Sequence, residues 1–108
     1  MTYRNQSIYN VIADPHRREI LDLLAGGEKS AGEIAQQFDI SRPAIAKHLK
    51  VLEQSNLIQI RNQGRERIHR LTPDPLREVH DWVDGYRSFW KGRLKGLKTL
   101  IESKDRQK

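Results

Sequence analysis

The chain has 108 residues, a net charge of +6 from 20 Lys+Arg against 14 Asp+Glu, and no cysteine. That length suits a single domain of the usual ~100 to 200 residues and excludes most large enzyme folds, while the missing thiols exclude disulfide staples, thiolate metal sites and cysteine catalysis. No apolar run approaches the roughly 20 residues that span a bilayer, so a soluble, unexported protein with no membrane partner is expected.

In chain order, Asn5 to Ala13 places Ile8, Val11 and Ile12 three and four residues apart, one stripe of a short helix. Asp14-Pro15 opens a second helix, since Asp caps the free first-turn amides and Pro loses no partner there. Ile20, Leu21 and Leu24 give that helix its buried face, and Gly26-Gly27 ends it. Ser30 and Glu33 have capping-box spacing, which predicts a third helix with Ile34, Ala35 and Phe38 inward. Only Asp39 and Ile40 separate Phe38 from Ser41, which can cap a fourth helix, with Pro43 harmless in its first turn. Ile45, Leu49 and Leu52 then share one narrow arc, and Pro43, Lys47, Lys50 and Gln54 point the opposite way.

From Leu57 the period falls to two. Ile58 and Ile60 alternate with Gln59 and Arg61, Asn62 to Arg65 forms a turn around Gly64, and Ile68 with Arg70 continues the alternation, which predicts a hairpin with a basic tip. After the punctuation Thr72-Pro73-Asp74-Pro75, apolar residues recur every three or four positions from Leu76 to Ile101, predicting a closing helix over 74–102 and a polar tail at 103–108. Such a helix would run about 40 Å, too long for a core this size to cover. Trp82, Val83, Tyr86, Phe89, Trp90, Leu94 and Leu97, with Ile8, Val11 and Ile12, are therefore expected to form a dimer interface between two copies. Gly85, Gly92 and Gly96 permit two readings, a bend or break near Gly85 or close packing of helices across the glycines.

The charge is local. Residues 1–40 carry 4 basic and 6 acidic side chains, residues 41–71 carry 7 and 2, and residues 72–108 carry 9 and 6. A basic centre on two adjacent short helices and a hairpin is the footprint of a polyanion binder, and this order of elements is a mainly α, winged helix-turn-helix domain (α-α-α-α-β-β-α) filling residues 1–108. A narrow basic helix face can enter the major groove while the hairpin tip reaches phosphates. The candidate DNA contacts are Ser41, Arg42, Pro43, Ala46, Lys47 and Lys50 on the fourth helix and Arg61, Arg65 and Arg67 on the hairpin.

The run from Ala13 to Leu21 (ADPHRREIL), the run from Ser41 to Leu52 (SRPAIAKHLKVL), and Asn56-Leu57-Ile58 closely resemble the ArsR-type winged-helix repressors, over about residues 5–101. The aromatic closing segment is similar to a subgroup of small autoregulatory repressors in that family. The family pattern usually has Gly where this chain has Asn56, a mild departure because Asn also tolerates left-handed backbone after a helix. The resemblance implies a cytoplasmic homodimer that represses transcription from a palindromic double-stranded operator. It does not imply the family's metal sites, because residues 33–38 contain no Cys and His80 with Asp81 has no second imidazole further along the closing helix.

His16, His48, His69 and His80 lie far apart in the sequence, so no metal, cofactor or stoichiometric metal effector is expected. His48 has two readings, a ring hydrogen-bonded at the edge of the core or a DNA contact. No phosphate-binding glycine loop appears and no nucleophile has an orienting base, so the chain is not read as an enzyme. The competing function is a winged-helix protein-interaction module, against which the outward Pro43, Lys47 and Lys50 favour DNA.

Overall fold

The computed structural model describes residues 7–91. Helix α1 (Ile8–Ile12) is capped by Ser7, whose hydroxyl accepts from the Asn10 amide. Helix α2 (Pro15–Ala25) starts under the Asp14 carboxylate, which accepts from the His16 and Arg17 amides, with Pro15 in the first turn. The Ser30–Glu33 capping box is reciprocal and opens α3 (Ala31–Gln36), and Ser41 accepts from the Ala44 amide to start α4 (Arg42–Gln54).

Strands β2 (Ile58–Gln63) and β3 (Glu66–Leu71) pair antiparallel, with Gln63 opposite Glu66. The loop is thus only Gly64-Arg65, and Gly64 takes φ +63°, the positive first position that a two-residue hairpin turn with leading glycine requires. A third strand, β1 (Lys29–Ser30), pairs antiparallel with β3 and makes the sheet order β1-β3-β2. Two residues are too few to carry a periodic signal, so this strand adds to the expected element order. Asn56 leaves α4 with φ +61°, the left-handed residue anticipated there.

Facing partners in a sheet share a side, and Ile60 lies opposite His69 while Ile58 lies opposite Leu71. His69, rather than Ile68, is accordingly the buried residue of β3. The core gathers Val11, Ile20, Leu21, Leu24, Ile34, Ile45, Leu49, Val51, Leu52, Leu57 and Ile58, with Ile8, Ile12, Phe38 and Ile60 partly buried against it.

After a 3₁₀ turn (Asp74–Leu76), helix α5 runs Arg77–Asp84. The chain turns at Gly85 and Tyr86 and is helical again at 87–91, so the closing helix starts three residues later than expected and breaks at Gly85, the first of the two readings of that glycine. Leu94, Leu97, Gly92, Gly96 and the 103–108 tail lie outside the described residues. Two compact units divide the chain, Met1–Glu78 and Val79–Lys108.

Candidate nucleic-acid interface

Helices α3 and α4, separated by five residues, form the helix-turn-helix. Ile45, Leu49 and Leu52 are buried, and because a helix repeats every 3.6 residues their burial forces Ser41, Arg42, Pro43, Ala46, Lys47 and Lys50 outward; all six are exposed. Pro43, Ala44, Ala46, Lys47 and Lys50 line a shallow depression on this face. Its small apolar floor with cationic edges suits base edges flanked by phosphates, since Ala packs on thymine methyls and Arg reads guanine through two acceptors. Among the described residues Arg42, Lys47 and Lys50 make no ion pair, so their charges remain available to an outside partner.

The hairpin cations differ from one another. Arg65 in the two-residue loop and Arg67 on β3 are exposed and form no ion pair among the described residues. Arg61 instead donates to Glu28 Oε2 at 2.8 Å and to Gln63 Oε1 at 3.1 Å. Its hydrogen bond holds the Glu28 carboxyl below the usual carboxylate range. Any phosphate contact by Arg61 must compete with that neighbour, a constraint that residue type alone did not reveal.

The Ala13–Leu21 run and α4 also make contacts that the sequence pattern did not reveal. Arg17 donates through Nε to the Val11 carbonyl at 2.7 Å and through Nη2 to the Asn10 carbonyl at 3.2 Å, while Arg18 Nη1 donates to the Ile12 and Ala13 carbonyls at 2.7 and 3.1 Å. The two arginines supply donors to the last carbonyls of α1, among which that of Asn10 also accepts from the Ala13 amide. Arg17 Nη1 also lies 3.4 Å from His48 Nδ1 on α4, so Asp14-Pro15-His16-Arg17-Arg18 caps one helix, closes another and touches the fourth.

His48 is half-buried and hydrogen-bonded at the edge of the core, the first of its two readings. Burial pushes its ring below the usual imidazole range, with Asp14 opposing and Arg17 reinforcing the shift. For Asp14, burial raises the carboxyl, but the Arg17 amide, the His48 charge and the His16 amide outweigh it and hold the group low. His16 stands beside both, its ring centroid 5.6 Å from that of His48. The fold thus gathers two of the four histidines that the sequence disperses.

In the second unit, Trp82, Tyr86, Phe89 and Trp90 are 56%, 49%, 61% and 42% exposed. Trp82 and Tyr86 meet edge to face at 5.7 Å, and Val83 is half-buried. Val11 does not belong with the expected interface: it is 0% exposed in the chain's own core and has no surface left for a partner, because α1 turns that residue inward. Ile8 and Ile12 are partly buried against the same core and keep some surface. No helix among the described residues is long and apolar enough to cross a membrane.

A family model described as a helix-turn-helix domain matches residues 12–61. The transcriptional repressor SdpR of Bacillus subtilis is 39% identical over 77 residues, which cover 71% of this chain and 86% of the relative. Among solved structures, an ArsR family transcriptional regulator, RHA00566, superposes with a TM-score of 0.69 at 33% identity, covering 78% of this chain and 87% of that one. A Mycobacterium bovis domain described as a homodimeric winged helix-turn-helix superposes with a TM-score of 0.58 at 26% identity, covering 71% and 74%.

Proposed function

Since the chain belongs to the ArsR family of winged helix-turn-helix transcriptional repressors, we propose that it represses transcription as a homodimer on a palindromic operator. The observation that carries this reading is the outward row of α4, where Arg42, Lys47 and Lys50 are exposed and make no ion pair among the described residues, on a helix whose other face is core. Members of this family are DNA-binding regulators, not enzymes.

Helix α4 enters the major groove, with Arg42 at its N-terminal end on a base edge, Ser41, Pro43 and Ala46 beside it, and Lys47 and Lys50 on the phosphates. Arg65 and Arg67 reach the backbone from the hairpin, and Arg61 joins them only by releasing Glu28. Trp82, Val83, Tyr86, Phe89 and Trp90 meet their counterparts in a second copy. Support for the pairing comes from four large exposed aromatics within nine residues, a density of apolar surface that monomers rarely leave in water. A two-fold pair sets two recognition helices about 34 Å apart, one turn of DNA, and so reads a palindrome. The setting is the cytoplasm, where the operator lies.

The test is a titration of a fragment selected from genomic DNA beside a scrambled fragment. The selected one should bind more tightly at physiological salt, and affinity should fall by orders of magnitude between about 50 and 200 mM salt if six or more phosphates are engaged. Equal affinity for both fragments would remove sequence-specific repression and leave the protein-interaction module.

A further inference from the structure

Asp14, His16 and His48 converge where the start of α2 meets the middle of α4. One carboxylate oxygen and one nitrogen from each ring all lie within 4.8 Å of one another. Asp14 Oδ1 stands 3.9 Å from His16 Nδ1 and 4.0 Å from His48 Nε2, and the two rings are tilted by 34°. These gaps are too long for hydrogen bonds, so the three groups do not satisfy one another. Around a tetrahedral ion with bonds of about 2.0 to 2.1 Å, neighbouring ligand atoms sit roughly 3.4 Å apart. The two gaps from Asp14 Oδ1 reach that length on closing by about half an ångström each, and the nitrogens of the two rings already lie within 4.8 Å of one another. The His16 side chain is 42% exposed and that of Asp14 29%, leaving both room to move. Asp14 Oδ1 also accepts from the His16 and Arg17 amides, so the carboxylate coordinates by sharing those hydrogen bonds or by a turn that brings Oδ2 to the ion.

We infer that Asp14, His16 and His48 bind one divalent first-row transition ion of the zinc type, with water in the fourth position. Two imidazoles and one carboxylate suit Zn²⁺, Co²⁺ or Ni²⁺; magnesium and calcium want oxygen alone, and cuprous copper wants thiolates. The cluster is distinct from both places where the family resemblance directs a search for metal, residues 33–38 and the closing helix.

Arg17 sets the consequence of binding. In the metal-free ring, His48 Nδ1 accepts from Arg17, which leaves the proton on Nε2. An ion on Nε2 moves that proton to Nδ1, so a donor then faces a donor and the Arg17–His48 contact is lost. Arg17 is the same side chain that clasps the end of α1, so metal uptake links α1 to the face of α4. That consequence rests on the reading of α4 as the DNA-entering helix, whereas the metal site itself does not.

The experiment titrates the full chain with Co²⁺, read by its visible absorption, and with Zn²⁺ by calorimetry. One ion per chain is expected, and Asp14→Asn, His16→Asn and His48→Gln should each weaken it at least tenfold, as loss of a ligand does. Asn caps a helix as well as Asp, so Asp14→Asn keeps the fold while deleting the charge. His80→Ala, which removes the exposed His80–Asp81 pair, should leave binding unchanged. Uptake that survives both Asp14→Asn and His16→Asn, or that disappears with His80→Ala, overturns the site. Operator titration on the same samples separates the two ideas: metal uptake without operator binding defeats the repressor reading alone, and operator binding without metal uptake defeats the metal site alone.

Discussion

Helices α4 and α5 are both amphipathic, yet they spend their apolar faces differently. Helix α4 buries Ile45, Leu49, Val51 and Leu52 in the chain's own core and turns its cations outward, while α5 buries none of its residues and the segment through Trp90 exposes four aromatics. The first helix is complete in one chain and has a polar face to offer a polyanion. The second has apolar area in excess, and its chemistry is finished only by another apolar surface.

The largest effect that would break this contrast is expected at Trp90. Trp90→Ala should cost the dimer about 3 to 5 kcal/mol if the ring is fully buried between copies, hundreds-fold or more in dissociation constant. Sedimentation at micromolar concentration should show the variant shifting to monomer, and the wild-type thermal midpoint should rise with protein concentration. A wild-type monomer with full operator affinity would erase the distinction between the two helices.

On the α4 side, Leu52→Ala should destabilise the fold by about 2 to 5 kcal/mol in urea, because Leu52 is 0% exposed and leaves a cavity. The midpoint should fall even at protein concentrations that saturate dimerisation, since the loss is within one chain. An unchanged urea midpoint would mean that α4 is not core on that face.

Smaller effects sharpen the contrast on DNA. Arg42→Ala should cost about 1 to 3 kcal/mol and relax preference at one base position per half-site, whereas Arg65→Ala should weaken all sequences alike and flatten the salt dependence. Arg87, exposed in the second unit beside Asp84, should be replaceable by Ala with no change in base preference. A preference profile that Arg42→Ala leaves intact would reduce that arginine to a phosphate contact.

The last effect is a gentle acid dependence of the first unit. Burial holds the His69 ring below the usual imidazole range, against the opposing pull of the Lys29 and Arg67 backbone, and His69 Nδ1 has no hydrogen-bond partner among the described residues. The unfolded chain therefore takes up a proton near pH 6.5 that the folded chain refuses. This contribution to stability is fully present above that pH and declines as pH falls toward the folded-state value. His69→Gln should flatten the dependence in urea titrations across this window; an unaltered slope would place the titrating group elsewhere.

Much of this molecule is legible from local pattern alone. Capping residues at Asp14, Ser30 and Ser41 satisfy amides within their own first turns, and the 3.6-residue period of Ile45, Leu49 and Leu52 decides which way Arg42 and Lys47 face; neither needs a distant residue. Tertiary structure alone decided what depends on two distant segments meeting. Strand β1 exists only because β3 offers Lys29 and Ser30 a ladder, and His69 is buried because register places it opposite Ile60. Val11 left the interface set because α1 folds onto the core, a direction that spacing does not encode. Arg61 lost its freedom to Glu28, 33 positions away, and Asp14, His16 and His48 became neighbours across 34 residues of chain. Periodicity reports on bonds within a turn or a strand, whereas a side chain's partner is chosen by packing, and packing is a property of the whole chain.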